Sequence, residues 1–437
     1  MNVTSVGILA LAFIGAFALA SVAVGLFFAL GRRPRRLVAT AAPEVDSDEF
    51  LAAIAGLVNG TVQKGGTLAL LNNGAAFYPE LEREIAAARR SINFMVYIWE
   101  PGKVGDRMFE LLAERARAGV RVRVMLDGLG GIRAPKEGIE RLEQAGVTVA
   151  RFRPPRFGML TRFHKRNHRR AIVIDGAVGF TGGMAIGDKW EGNARNPDEW
   201  RDFMVRVTGC LAANLQSAFA ELWAHCHGEI LVGDDYYTPD GSEPEHAQAA
   251  EPAAPIRHIG VISSPSSEEH PLRHFYVLSF LAARQRLWMT TPYFVPDQPM
   301  REVLAERARA GVDVRVLLPN EHTDATPIRL AGHAYYEELL AAGVRIWEFQ
   351  PTFLHAKALV IDGRWSVVGS ANMDVRSKEL NEENVLGILD AAFAGQLETT
   401  FVAYLERARE IRLEEWKRRG SAARIAERIA RVFAEQY

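Results

Sequence analysis

Residues 112–126 read LAERARAGVRVRVML and residues 304–318 read LAERARAGVDVRVLL, identical at 13 of 15 positions. A helix that ends at Gly119 or Gly311 and passes into an apolar strand explains the pattern locally. It does not explain why the pattern returns 192 residues later. A second pair of segments, NHRRAIVID at 167–175 and LHAKALVID at 354–362, recurs at an offset of 187. A unit of about 190 residues has therefore been duplicated. Each copy alternates strand-like runs (INFMVYIW and VRVRVML; RLWMTTPYF and VDVRVLL) with amphipathic helical runs. That alternation predicts an α/β layered fold, a mixed sheet flanked by helices, built twice.

The ends and joints of the two units follow from composition. Residues 1–31 carry no charged side chain and are long enough to cross a bilayer, and Arg32, Arg33, Arg35 and Arg36 follow them. Its length makes this a single-pass anchor, and the positive-inside rule places the remaining body on the cytoplasmic side. The small residues around Ala20 also fit a cleaved signal, but such a signal carries its positive charge ahead of the apolar core. The expected division is an anchor at 1–31, a juxtamembrane linker at 32–60 and a first unit at 61–232. A Pro-, Ala- and acid-rich linker at 233–256 and a second unit at 257–437 complete it.

A net charge of -1 over 437 residues weighs against a nucleic-acid partner. Cys210 and Cys226 give no disulfide framework. The adjacent His225, Cys226 and His227 are too close in sequence to make a usual metal site, so no metal is expected. At the C-terminus Ile425, Ile429, Val432 and Phe433 share one helical face, expected to pack into a core.

In each short repeat the apolar run AIVI or ALVI reads as a buried strand closed by an Asp-Gly turn. Extended backbone places His168 beside Arg170, and His355 beside Lys357, on one face. Glycines follow, Gly182 and Gly183 in the first copy and Gly369 before Ser370 in the second, where a ligand can approach the backbone. An imidazole beside a cation is half a phosphate site. The segment 151–170, RFRPPRFGMLTRFHKRNHRR, adds eight Arg or Lys and no acid, which fits a solvated basic loop or a patch for anionic headgroups and would serve nucleic-acid phosphates equally well.

The two motifs, His168-x-Arg170-x4-Asp175 and His355-x-Lys357-x4-Asp362, resemble the paired HxKxxxxD motifs of the phospholipase D superfamily. GFTGGMAIGDKW, WRDFMVRVTG, PYFVPD, YYEELLAAGVRIWEFQPTFLHAK and VVGSANMDVRS extend the resemblance to bacterial cardiolipin synthases over roughly residues 65–410. The resemblance implies a bilobal body in which the motifs meet at a pseudo-twofold interface. It implies cofactor-free, metal-free chemistry through a phosphatidyl-histidine, with His168 as nucleophile and His355 as acid and base. Arg170, Lys357 and Asn372 would bind phosphate oxygens, beside Ser370, Gly182, Gly183 and Gly369. Asp202 and Glu383, 34 and 28 residues after the two histidines, match the orienting acids, and Asp175 and Asp362 would fix the motif loops.

Two positions depart from the family pattern: Arg170 replaces Lys, and Ala185 replaces an Asn. The implied substrate is an anionic phospholipid at a bilayer, and the implied reaction joins two phosphatidylglycerols into cardiolipin with release of glycerol. A hydrolytic phospholipase D, another phosphodiesterase and a non-catalytic lipid binder are the alternatives. With both histidines committed to covalent and proton chemistry, turnover should survive strong chelation. Loss of activity that one specific ion restores would contradict this scheme.

Overall fold

In the computed structural model, which describes residues 37–41, 43–155, 165–238, 255–265 and 271–432, each repeat builds a sheet with the same strand order. The strands are β1 (Gln63–Lys64), β2 (Leu68–Asn72), β3 (Ser91–Val96), β4 (Arg121–Asp127), β5 (Thr148–Phe152), β6 (Ala171–Ile174), β7 (Val178–Gly182) and β8 (Phe203–Thr208). The second repeat supplies β9 (Arg257–Ser263), β10 (Arg286–Thr290), β11 (Asp313–Pro319), β12 (Arg345–Phe349), β13 (Ala358–Ile361), β14 (Trp365–Gly369) and β15 (Glu383–Leu389), followed by β16 (Ala408–Ile411). The first sheet runs β2-β8-β7-β6-β3-β4-β5, and the second contains β9-β15-β14-β13-β10-β11-β12. In both, the three strands ending each order are parallel and the remaining pairs antiparallel. The duplication read from two short segments thus extends to the whole topology.

The sheets face each other across a shared apolar core. Along β6, Ala171 and Val173 point into that core, while Ile172 and Ile174 point into the outer core of the first lobe. Both faces are buried, which is why AIVI shows no polar alternation. The helices Cys210–His227 and Ala391–Leu405 contribute Phe219 and Trp223, and Phe393 and Phe401, to the same core. The lobes are therefore held as one body by apolar surface that neither could bury alone.

Several boundaries differ from expectation. The stretch expected as linker to residue 60 contains a helix, Asp48–Val58, whose N-cap Ser47 Oγ accepts the Phe50 N–H at 3.1 Å. Phe50, Leu51 and Ile54 lie in the outer core of the second lobe, where Phe50 meets Trp365 edge-on at 5.1 Å. Next, β1 pairs with β9 at the second sheet's edge, so residues 48–64 belong with the second lobe rather than beginning the first at 61. The linker expected from 233 likewise starts later. Tyr236 is buried, the Asp235 carbonyl accepts from Ser91 Oγ at 2.5 Å, and Thr238 Oγ1 donates to the Gly176 carbonyl at 3.1 Å.

The expected apolar face of the last helix, Ser421–Val432, points outward at both described positions, Ile425 being 56% and Ile429 57% exposed. The other side packs on the helix Thr326–His333, with Ala430 against Val295 and Ala331, while Glu427 pairs locally with Arg419 at 2.8 Å. The side chain of Val432 and all of Phe433 lie outside the described residues, as do the expected anchor at 1–31, residues 239–254 of the second linker and residues 156–164 of the basic stretch. Among the described residues no helix is long and apolar enough to cross a membrane. His227 stacks on Trp223 at 4.8 Å and His225 faces Phe152 at 6.4 Å, so this His-Cys-His run is spent on aromatic contacts at a helix end.

Phe50→Ala should destabilise the second lobe by about 3–5 kcal/mol, the usual cost of truncating a buried Phe. A denaturant titration should show a lower midpoint at a similar slope. An unmoved midpoint would mean that the helix is not part of the lobe's cooperative core.

Candidate active site

The motif strands are anchored at the end away from the histidines. Asp175 and Asp362 sit in the left-handed region, φ 53 and 52°, just after β6 and β13. The Asp175 carboxylate accepts the backbone N–H groups of Arg89, Arg90 and Ser91 at 2.9, 2.7 and 2.9 Å. Asp362 accepts those of Arg284, Gln285 and Arg286, each at 2.8 Å. Both aspartates pin the start of the neighbouring strand and stand a strand's length from the histidines, so they belong to the scaffold and not among the catalytic groups.

At the other end of β6 and β13, beside the carboxyl ends of the parallel strands where α/β sheets present their sites, the lobes exchange backbone hydrogen bonds. The His168 N–H donates to the Glu382 carbonyl at 2.9 Å, and the Glu382 N–H to the Arg166 carbonyl at 2.8 Å. In the mirrored position the His355 N–H donates to the Arg201 carbonyl at 2.7 Å, and the Arg201 N–H to the Phe353 carbonyl at 2.8 Å. The residues following these bridges are the two acids. His168 Nδ1 lies 3.0 and 3.1 Å from the Glu383 oxygens, and His355 Nδ1 lies 2.7 Å from Asp202 Oδ2. Each histidine is therefore oriented by the acid of the other repeat, which spacing along the chain does not reveal.

The two pairs differ in charge. Burial, followed by the charge of Arg170, lowers the His168 imidazole to about 4, so it is neutral near pH 7. Burial opposes ionisation of Glu383. Hydrogen bonding to His168 and Ser370, with the Arg170 charge, outweighs it and holds this carboxyl below its usual range. An ionised carboxylate only accepts, so it selects the His168 tautomer with the proton on Nδ1 and leaves Nε2 as the basic nitrogen. Among the described residues no group hydrogen-bonds His168 Nε2. On the other side, burial pushes the Asp202 carboxyl up to about 7 against the opposing charge of Lys357. Burial and then Lys357 hold His355 well below its usual value. Across a 2.7 Å contact the second pair is placed to share one proton near neutrality.

The cations frame this centre. Arg170 Nη1 donates to its neighbour's carbonyl, that of His168, at 2.5 Å, and Lys357 Nζ donates to the His355 carbonyl at 2.7 Å. Lys357 Nζ also stands 3.1 Å from both His355 ring nitrogens. Asn372 is buried, and its Oδ1 has no hydrogen-bond partner among the described residues. Ala185, where an Asn was expected, is also buried, and its carbonyl accepts the Tyr78 hydroxyl at 2.9 Å.

The glycines have another role than the one expected of them. A Cβ on Gly182 or Gly369 would strike the backbone of the adjacent strand at Phe203 or Asn384, and one on Gly183 would collide with the Asp202 carboxylate. These glycines admit protein rather than a substrate. Ser370, at the position equivalent to Gly183, donates from Oγ to Glu383 Oε2 at 2.5 Å. It holds the acid in place, a role different from the phosphate contact that the resemblance implies.

Sequence reasoning missed the walls of the site. Asn384 accepts the Arg170 N–H at 2.9 Å and donates to its carbonyl at 3.2 Å; its neighbour Glu383 was the available clue. Tyr97 lies 5.1 Å from the His168 ring, while Trp200, Phe353, Trp190 and Tyr293 lie 5.4, 5.5, 5.9 and 6.5 Å from His355.

Comparison with known proteins agrees with this geometry. A family model described as "Cardiolipin synthase, PLD-like domain" matches residues 81–223 and 278–405. A cardiolipin synthase of Geobacillus kaustophilus is 33% identical over 367 residues, 84% of this chain and 71% of that one. Cardiolipin synthase 2 of Bacillus anthracis is 32% identical over 365 residues, 83% and 69% of the two chains. Among solved structures, phosphatidylserine synthase of Haemophilus influenzae shares the fold with a TM-score of 0.67 at 15% identity, covering 89% of this chain and 97% of that one.

Glu383→Gln replaces an obligate acceptor with a group that can donate, so it should release the His168 tautomer. Turnover should fall by about 10⁴, as for the equivalent change in a Ser-His-Asp triad, with little change in melting temperature. Asp202→Asn should do the same to His355. Turnover within a few-fold of the wild type in either variant would remove that acid from the mechanism.

Proposed function

From the premise that the chain belongs to the cardiolipin synthase-type, phospholipase D-like family, we propose that it is a phosphatidyltransferase that makes cardiolipin from two phosphatidylglycerols. The observation that carries this reading is the pair of facing histidines whose acids impose different proton inventories. His168 Nε2 attacks phosphorus, forming a P–N bond as the P–O bond to glycerol breaks. The Nε2 proton of His355 passes to the departing oxygen while the proton shared with Asp202 settles on Nδ1. In the second half, His355 takes the proton from the hydroxyl of the incoming phosphatidylglycerol. That oxygen attacks phosphorus, and the P–N bond breaks. In this reading Arg170, Lys357 and the Asn372 amide N–H counter charge on the non-bridging oxygens.

The different pairs support His168 as nucleophile and His355 as acid and base, an assignment that the sequence symmetry leaves open. The uncharged segment 1–31 and the arginines after it support placing the enzyme on the cytoplasmic face of a bacterial membrane. An anchored site meets lipid at high effective concentration, which favours a phospholipid over soluble phosphodiesters.

The test is product analysis of the purified full chain with phosphatidylglycerol vesicles. Cardiolipin and glycerol should form in equal amounts. His168→Ala and His355→Ala should each abolish this, and His355→Ala should additionally allow the lipid-histidine adduct to be trapped with an activated leaving group. Phosphatidic acid as the main product would establish hydrolysis instead, and no product at all would favour the lipid-binding alternative.

A further inference from the structure

The mechanism above employs Arg170 and Lys357 at the reacting phosphorus and leaves another cation beside the site without a task. Lys189 stands 187 residues before Arg376, the offset that relates the two histidines, so the repeats place a cation at equivalent positions beyond their motifs. Lys189 lies in the short turn Asp188–Trp190. Its Nζ sits 4.0 Å from the Trp200 ring and 4.6 Å from the Trp190 ring. Those same rings lie 5.4 and 5.9 Å from His355 on their other contacts. The ammonium and the histidine that must deprotonate the acceptor thus border the same two rings. Glu100 holds Nζ at 3.2 Å but also binds Arg133 at 3.0 Å, so its charge is divided between two cations. A second acid, Asp324, accepts the Tyr293 hydroxyl at 2.6 Å. The Lys189 side chain is 22% exposed, which leaves it partly desolvated yet open to a ligand.

Joining two phosphatidylglycerols requires two phosphates with different fates. One is the reaction centre. The other, on the acceptor, remains an anionic diester, and it must rest one glycerol away from the reacting phosphorus. We propose that Lys189 binds the phosphodiester of the acceptor phospholipid, so that the His355 side of the site favours an anionic lipid over water or a free alcohol. The aromatic wall carries the glycerol between the two phosphates, and the ammonium acts as a compact point charge for the diester. This inference rests on the transfer reading above.

The test compares two acceptors in one reaction. Phosphatidylglycerol vesicles are supplied with radiolabelled glycerol, so the lipid-histidine intermediate partitions between a second phosphatidylglycerol, giving cardiolipin, and free glycerol, giving labelled phosphatidylglycerol. Lys189→Met should lower the ratio of cardiolipin to exchanged label on the order of tenfold or more, the effect of removing a charge-assisted contact. The half-saturating phosphatidylglycerol concentration for cardiolipin formation should rise in parallel, and Lys189→Arg should restore most of the ratio. Lys189→Gln is read alongside, so that a packing defect in one neutral variant does not decide the outcome. An unchanged ratio in both neutral variants, with the wild type performing both reactions, overturns the acceptor site alone. A wild type that neither forms cardiolipin nor exchanges glycerol overturns the transfer reading, and the acceptor site falls with it.

Discussion

Two carboxylate–imidazole contacts made across the lobe interface set the terms for the rest of this structure. Glu383 reaches His168 and Asp202 reaches His355, all four groups being buried. Ionisable groups out of water are costly unless paired in good geometry, and here the pairing exists only while the lobes are docked. The backbone bridges beside each pair and the shared apolar core beneath them hold that docking. Aspartates at the far ends of the motif strands fix those strands against their own sheets. The site is thus a property of the interface, supported from both lobes by matching devices.

Within this near-symmetric frame the chemistry is asymmetric. Arg170 opposes Lys357, Glu383 opposes Asp202, and Ser370 opposes Gly183. The serine hydroxyl reinforces the ionised state of Glu383, whereas Gly183 gives Asp202 room but no donor from its side chain. Among the described residues one aromatic ring, Tyr97, stands against His168, and four stand against His355. These differences give the two imidazoles unlike surroundings that a perfect twofold would make equal.

The sequence made legible what is periodic or repeated. The duplicated LAERARAG segment and the two histidine motifs implied two equivalent α/β units, and the two sheets share one strand order. The catalytic candidates His168, His355, Lys357, Asp202 and Glu383 all meet at one centre. What stayed hidden depends on the partner of a residue rather than on its type. The exchange of acids arises from docking, and nothing local in EWRDF or NEENV encodes it. Gly183 and Ser370 looked like openings for a ligand because a missing side chain in sequence does not say which atom fills the space. The helix Asp48–Val58 read as connector because its acidic start masked a short apolar face, and that face finds its core more than two hundred residues away, on Ile259 and Trp365. In the last helix the apolar stripe through Ile425 and Ile429 was plain, yet the side carrying Glu427 and Ala430 is the one that faces the body.

Exchanged acids also tie together the evolutionary histories of the two halves. A substitution at residue 383, encoded in the second repeat, retunes a histidine of the first, and one at residue 202 does the reverse. After duplication the copies had a route to specialise without touching either histidine, since drift in an acid or its neighbour sufficed. That same route closed off their independence. Neither half can be traded for a homologous half unless its acid suits the histidine it will meet, so the duplicated gene inherits its active site as a single unit.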